Sequence, residues 1–291
     1  MSVSPKKLWI VTEGLAGTEN QCLGVAEALR EKWPDLTVIP FRTALRQPWK
    51  SLSPWLGFEQ WWSFDPIFIP PWPDILITSG RKAIAASRFI KAESAGQTFT
   101  LHLQDPHINP KAFDLVAVPA HDTLRGENVI VTAATPNRIT QARLEDAMTA
   151  FPSPPAPRAA VLIGGNSKTH RITPAIAERL IAQLSKAGKT HSLMITTSRR
   201  TPESLRAALQ KQFAGGKHWD GEGANPYFAI LGYADAIIAT NDSASMLSEA
   251  ATTGKPVYSV KLEGGSPKFD RLYAGLQKTG ALKEFSGMIE N

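Results

Sequence analysis

A chain of 291 residues with 43% apolar and 20% charged residues has the length for two domains and enough apolar content for packed cores, which excludes a disordered segment. Its 32 Lys and Arg against 26 Asp and Glu leave a net charge of +6, yet no basic run exceeds two residues, so nucleic acid is not expected and phosphorylated substrates or an anionic surface remain. The single cysteine, Cys22, excludes an internal disulfide and a cysteine-rich metal site and fits a reducing cytoplasm.

The first apolar run, Leu8 to Val11, is too short for a signal peptide and reads as a strand. A glycine-containing loop, Thr12 to Asn20, and a helical stretch from Gln21 to Arg30 follow, then a second strand at Leu36 to Ile39. This strand–loop–helix–strand unit is the usual opening of a doubly wound fold. Its glycines lack the spacing of a dinucleotide fingerprint, which argues against a nicotinamide enzyme. Residues 46–73 break the pattern, holding five of the eight tryptophans (Trp49, Trp55, Trp61, Trp62 and Trp72) among Pro and Phe. They could complete the first core or form a lipid- or substrate-facing patch. Strands resume at Asp74–Thr78, Phe99–Leu103, Leu115–Val118 and Val129–Val131. Asp105 and His121 each lie just past one of these strands, where either could serve as a general base or simply cap a turn.

Four prolines between Phe151 and Pro157 mark a stiff linker, 151–158, between an N-terminal domain (1–150) and a C-terminal one (159–291) whose last helix could pack back on the first. The alternation restarts with Ala159–Ile163. Gly164, Gly165, Ser167 and Lys168 come after that strand and could bring backbone amides, a hydroxyl and a charge to a phosphate, or form a plain turn. Ser198, Arg199 and Arg200 follow the next strand and suit an anion or a base; a helix cap at Ser198 or Thr201 explains them equally. The buried run Ala236 to Thr240 leads into Asn241, Ser243 and a helix that sets Ser245 and Glu249 on one face, four residues apart. Gly264 and Gly265 form a further polar loop. Strand ends in such sheets converge on one crevice, so these loops together describe a nucleotide-diphosphate pocket, with Glu249 able to accept from ribose hydroxyls. The six histidines lack metal-ligand spacing and no Asp-x-Asp occurs, so no metal or other cofactor is expected.

The residues Asn20-Gln-Cys-Leu-Gly24, Leu103-Gln-Asp-Pro106, Pro119-Ala-His-Asp122, Ile163-Gly-Gly165, Thr196 to Pro202, Asn225-Pro-Tyr-Phe228 and Asp242 to Met246 resemble, nearly end to end, bacterial members of the Elm-type mitochondrial fission family. The C-terminal half is similar to GT-B glycosyltransferases, in which an acidic residue on the helix after the donor loop binds the nucleotide ribose; Glu249 matches it. The chain departs from that pattern in having no histidine in its first loop. The resemblance implies two Rossmann-like domains facing across a cleft and a metal-independent glycosyltransferase. Its partners would be a nucleotide-sugar donor and an unknown, lipid-linked or envelope acceptor. A cytoplasmic protein, peripheral at the inner membrane through residues 46–73, would fit. The alternatives are a non-catalytic membrane-associated adaptor of the fission-factor type and a nucleotide-sugar epimerase on the same fold.

Overall fold

The computed structural model describes residues 6–214, 217–219 and 223–290 and divides the chain into two compact bodies, one ending at Arg138 and the other beginning at Ile139. In the first, β1 (Lys7–Thr12), α1 (Ala16–Lys32), β2 (Thr37–Arg42), β3 (Ala44–Leu45), α2 (Trp49–Leu52), β4 (Phe64–Asp65), β5 (Ile75–Ser79), α3 (Ala83–Glu93), β6 (Phe99–Leu103), β7 (Leu115–Pro119) and β8 (Val129–Thr132) follow in order. Six of these strands form a wholly parallel sheet, β2-β1-β5-β6-β7-β8. A parallel sheet covered on both faces wants strands that are apolar throughout, as Leu8-Trp-Ile-Val11 is. Trp9, Val11 and Leu76 join one core cluster, and Leu8, Ile10 and Ile77 the opposite one.

The chain runs from β1 outward to β2 and returns to β5 on the other side, so strand order reverses between β1 and β5. Such a switch point is where a doubly wound sheet receives its ligand. Here the protein fills it with its own carboxylate. Glu13 accepts from the Lys82 amide at the start of α3 at 2.8 Å, and its other oxygen lies 3.6 Å from the Lys82 ammonium. An anion at a helix N-terminus is thereby supplied internally.

The tryptophan-rich excursion divides by depth. Trp49 is buried with Phe64 and Phe68, its indole N–H donating to the Gly57 carbonyl, and Trp72 packs on the same cluster. Trp55, Phe58, Trp61 and Ile69 instead stand 67%, 87%, 59% and 64% exposed. The core reading holds for Trp49 and Trp72, while the other tryptophans of the segment stand at the surface.

The second body contains α4 (Gln141–Thr149), β9 (Arg158–Ile163), β10 (His170–Arg171), α5 (Pro174–Ala187), β11 (Ser192–Thr197), α6 (Glu203–Gln212), β12 (Lys217–Trp219), α7 (Tyr227–Tyr233), β13 (Ala236–Thr240), α8 (Ala244–Thr252), β14 (Val257–Val260), β15 (Glu263–Gly264), α9 (Pro267–Lys278) and β16 (Lys283–Glu284). Its sheet, β12-β11-β9-β13-β14-β16, is again wholly parallel, with the switch point between β9 and β13. The strands alternate faces: Val161, Ile163, Ile195 and Ile238 on one core, Ala160, Leu162, Ile237 and Ala239 on the other.

Helix α4 belongs to this body, so the proline-rich stretch lies inside it rather than at its border. Leu144 is buried with Ile230 and Leu231 of α7, and the Tyr233 hydroxyl donates to the carbonyls of Met148 and Phe151 at 2.6 and 2.8 Å. Helix α9 buries Leu272 and Leu276 in the same cluster. No helix among the described residues is long and apolar enough to cross a membrane.

Candidate functional site

The C-terminal switch point is built from three loops. After β9 comes Gly164-Gly165; after β11, Ser198 to Thr201; after β13, Asn241-Asp242-Ser243, where α8 begins. Asp242 lies at their centre with its side chain fully buried, bonded to Arg200 at 2.8 Å. Its carboxylate also accepts from the Gly165 amide at 2.9 Å and the Thr240 hydroxyl at 2.7 Å. The Thr240 hydroxyl in turn accepts from the Gly164 amide at 2.8 Å. A buried carboxylate is tolerable because three donors surround it.

The glycines are needed for closeness. A Cβ on Gly164 would lie 2.5 Å from Asp242 Cγ and closer to both oxygens; one on Gly165 would lie 2.5 Å from Thr201 N and closer to the Arg200 carbonyl. Their amides are directed at Thr240 and Asp242, and the Asn166 amide donates to the Arg200 carbonyl at 3.1 Å. The loop thus locks the three strand ends together instead of offering its amides outward. Ser167 closes the turn into β10, its hydroxyl accepting from the amides of Thr169 and His170. Ser198 accepts from the Arg200 amide at 3.1 Å, and the Thr201 hydroxyl, itself a donor to the Gly164 carbonyl, accepts from the Ser198 amide. Asn241 is buried and its amide oxygen caps Leu262 at 2.9 Å.

What faces outward is cationic. The Arg200 side chain is 43% exposed, anchored at one edge by Asp242; Arg199, next to it in sequence, and Lys168, three residues past Gly165, are exposed as well. Ser243 caps α8, accepting from the Met246 amide at 3.3 Å, and Ser245 is half-buried in the first turn. One turn on, Glu249 accepts a 2.5 Å hydrogen bond from the Tyr227 hydroxyl. Burial pushes the Glu249 carboxyl above the usual range while that hydrogen bond pulls it back. Burial, then the Glu249 charge, raises the Tyr227 phenol. His170, on β10, is 1% exposed; its Nδ1 meets Thr169 at 2.9 Å and its Nε2 has no hydrogen-bond partner among the described residues.

Gly164, Gly165, Ser198, Arg200, Asn241 and Ser243 therefore meet at one switch point, with Ser245 and Glu249 along the helix that leaves it. Asp242, Thr240, Thr201 and Tyr227 carry much of the geometry; none is a site residue in the sequence reading, where Thr201 appears only as a helix-cap candidate. The polar cluster after β13 was the available signal for the first two.

Asp105 and His121 lie in the N-terminal body. His121 is 3% exposed. Asp105 lines a cavity of about 280 Å³ at the ends of β5 and β6, with Trp55, Arg81, His102, Gln104 and His107. The Arg81 guanidinium lies 5.9 Å from the Trp55 ring centroid. Asp105 accepts from the His107 amide at 2.8 Å and lies 3.4 Å from its Nδ1. Gln104 and His107 flank it with φ of +80° and +54°, left-handed values that side chains rarely adopt and that mark an over-determined loop. Buried His102, bonded to the Thr78 hydroxyl at 2.8 Å, is held neutral by desolvation, its pKa near 3.

The fold is that of GT-B glycosyltransferases and the related epimerases. The UDP-GlcNAc 2-epimerase of Neisseria meningitidis, solved bound to UDP-GlcNAc, superposes with a TM-score of 0.51 at 15% identity, over 98% of this chain and 95% of that one. The glycotransferase of kitacinnamycin gives 0.56 at 11%, over 97% and 86%. The mitochondrial fission protein ELM1 of Arabidopsis thaliana is 28% identical over 246 residues, 74% of this chain but only 58% of the plant protein's length. The mitochondrial fission ELM1 family model matches residues 16–291, and the chain belongs to that family.

Proposed function

We propose that the protein is a metal-independent glycosyltransferase that takes a nucleotide-diphosphate sugar in its C-terminal body. One observation carries this reading: a half-exposed guanidinium, Arg200, is fixed by a buried carboxylate beside the capped N-terminus of α8, with Glu249 further along that helix. A helix N-terminus and an anchored arginine suit a diphosphate, and they can stabilise the departing diphosphate where other sites use a metal. Lys168 and Arg199 add positive charge, Ser245 a hydroxyl. Glu249 would take the ribose. The UDP-GlcNAc bound by the Neisseria epimerase supports the substrate class. On the acceptor side, Asp105 in its cavity is the candidate base, and Trp55 offers an aromatic wall for a sugar or a lipid-borne group.

The test is a thermal-shift panel of uridine, guanosine, adenosine and thymidine diphosphates and their sugars. At 100 times Kd, binding to the native state adds about 2.7 kcal/mol, enough to raise Tm by several degrees. Absence of any shift would sink the donor site. Where a shift occurs, Glu249→Ala is expected to weaken binding about tenfold or more; unchanged affinity removes Glu249 from the ribose role.

The exposed aromatics favour a peripheral membrane contact. Trp55, Phe58, Trp61 and Ile69 project from one excursion that also exposes Arg46 and Lys50, a combination suited to the interface of an anionic bilayer. Burying an aromatic side chain is worth about 1.5–3 kcal/mol. Phe58→Ser with Trp61→Ser is therefore expected to cut partitioning onto phosphatidylglycerol vesicles by about tenfold or more in flotation. Equal flotation of variant and wild type rejects the contact.

A further inference from the structure

We propose that Tyr227 is the positioning residue that makes Glu249 selective for the ribose hydroxyls, so that Asn225-Pro-Tyr-Phe228 is a part of the nucleotide site rather than only the start of a helix. The proposal rests on the donor-site reading above and deepens it. Pro226 forbids an amide donor at its own position, and Asn225 forms an Asx turn around it, its side-chain oxygen accepting from the Tyr227 amide at 3.0 Å. This fixes Tyr227 at the first position of α7. Its ring packs edge-on to Phe228, with centroids 5.8 Å apart. The phenol then reaches across from α7 to α8 and donates to Glu249 Oε2.

Three consequences follow for the carboxylate. One of its oxygens is committed to the phenol, which fixes the side-chain rotamer and leaves Oε1 as the acceptor for a ligand hydroxyl. The hydrogen bond from the phenol favours the charged form and works against the burial that pushes the carboxyl up. The phenol has no second proton to donate to a ligand, because its single proton is given to Glu249 and its ionisation is opposed by burial and by the Glu249 charge. Tyr227 thus acts through Glu249 and does not itself meet the ribose. A carboxylate left without that donor would be free to rotate or take up a proton, and in either state it would accept poorly from a vicinal diol.

The experiment compares the affinity of the full chain for UDP, GDP or ADP, whichever the panel selects, with that for its 2′,3′-dideoxy counterpart, by calorimetry. Wild type is expected to prefer the ribonucleotide by about 10- to 100-fold, the range of a charge-assisted hydrogen bond. Tyr227→Phe, which removes one oxygen and keeps the ring, is expected to abolish most of that preference while leaving the dideoxy affinity within about twofold. Glu249→Gln is expected to abolish it as well. If Tyr227→Phe keeps the preference, or weakens both nucleotides alike, its hydroxyl serves the fold and the proposal is overturned while the donor site stands. If Glu249→Gln keeps the preference, or wild type binds none of the three diphosphates, the ribose reading itself fails and takes this proposal with it.

Discussion

Gly165→Ala is expected to destabilise the C-terminal body by about 3 kcal/mol, an overpacking penalty at the upper end of its usual range. The added methyl would lie 2.5 Å from Thr201 N and closer to the carbonyl carbon and oxygen of Arg200. Those are backbone atoms, so no rotamer change relieves the overlap. The Arg200 segment cannot swing away cheaply either, because Ser198 and Thr201 tie it down through the Arg200 amide, the Ser198 amide and the Gly164 carbonyl. Relief requires the loops after β9 and β11 to separate, which breaks the Asn166-to-Arg200 hydrogen bond and the 2.9 Å bond from Gly165 to Asp242. Urea denaturation followed by circular dichroism measures the loss. Gly275→Ala is the matched control: that glycine is inside α9 with nothing near its would-be Cβ, so alanine should stabilise by about 0.5–1 kcal/mol. Equal effects at the two positions would mean that the loops are not interlocked as described.

Gly165 also shows what a sequence conveys and what it hides. The alternation of strands and helices, both parallel sheets and the Ser243-capped helix with Ser245 and Glu249 on one face follow from local patterns, because periodicity and capping are local. Two glycines after a buried strand read locally as a phosphate cradle. Their partners, Thr240 and Asp242, are 76 and 77 residues further on, and only the closed sheet brings those oxygens to the amides. The domain border is hidden in the same way. Four prolines look like a linker, yet α4 ahead of them is held by α7, through contacts such as Tyr233 to Met148 that span 85 residues. The tryptophans of residues 46–73 follow neither a helical nor a strand period, so composition alone could not separate buried Trp49 from exposed Trp55. Tyr227 and Glu249 were both visible in the segment from Asn225 to Val257, but their pairing depends on how α7 lies on α8.

Asp242→Ala is expected to cost about 3 kcal/mol as well, for a different reason. The carboxylate is completely buried, and its removal strands the Gly165 amide and the Thr240 hydroxyl, each at about 1–3 kcal/mol when left without a partner. Arg200 suffers less: with 43% of its side chain exposed it can rehydrate, so the full 3–5 kcal/mol of a broken buried ion pair does not apply. Nucleoside-diphosphate affinity should fall with stability, since the guanidinium loses its carboxylate anchor and keeps the longer hydrogen bonds to the Gly165 and Asn166 carbonyls. The two substitutions act on one network, because Gly165→Ala already breaks the hydrogen bond that Asp242 accepts. In a double-mutant cycle their costs should therefore sum to less than the total of the singles, with a coupling of about 1–2 kcal/mol. Simple additivity would show that the glycine loop and the carboxylate support the switch point independently. Unchanged diphosphate affinity in Asp242→Ala would show in turn that Arg200 is held well enough by the Gly165 and Asn166 carbonyls, and that Asp242 serves the fold alone.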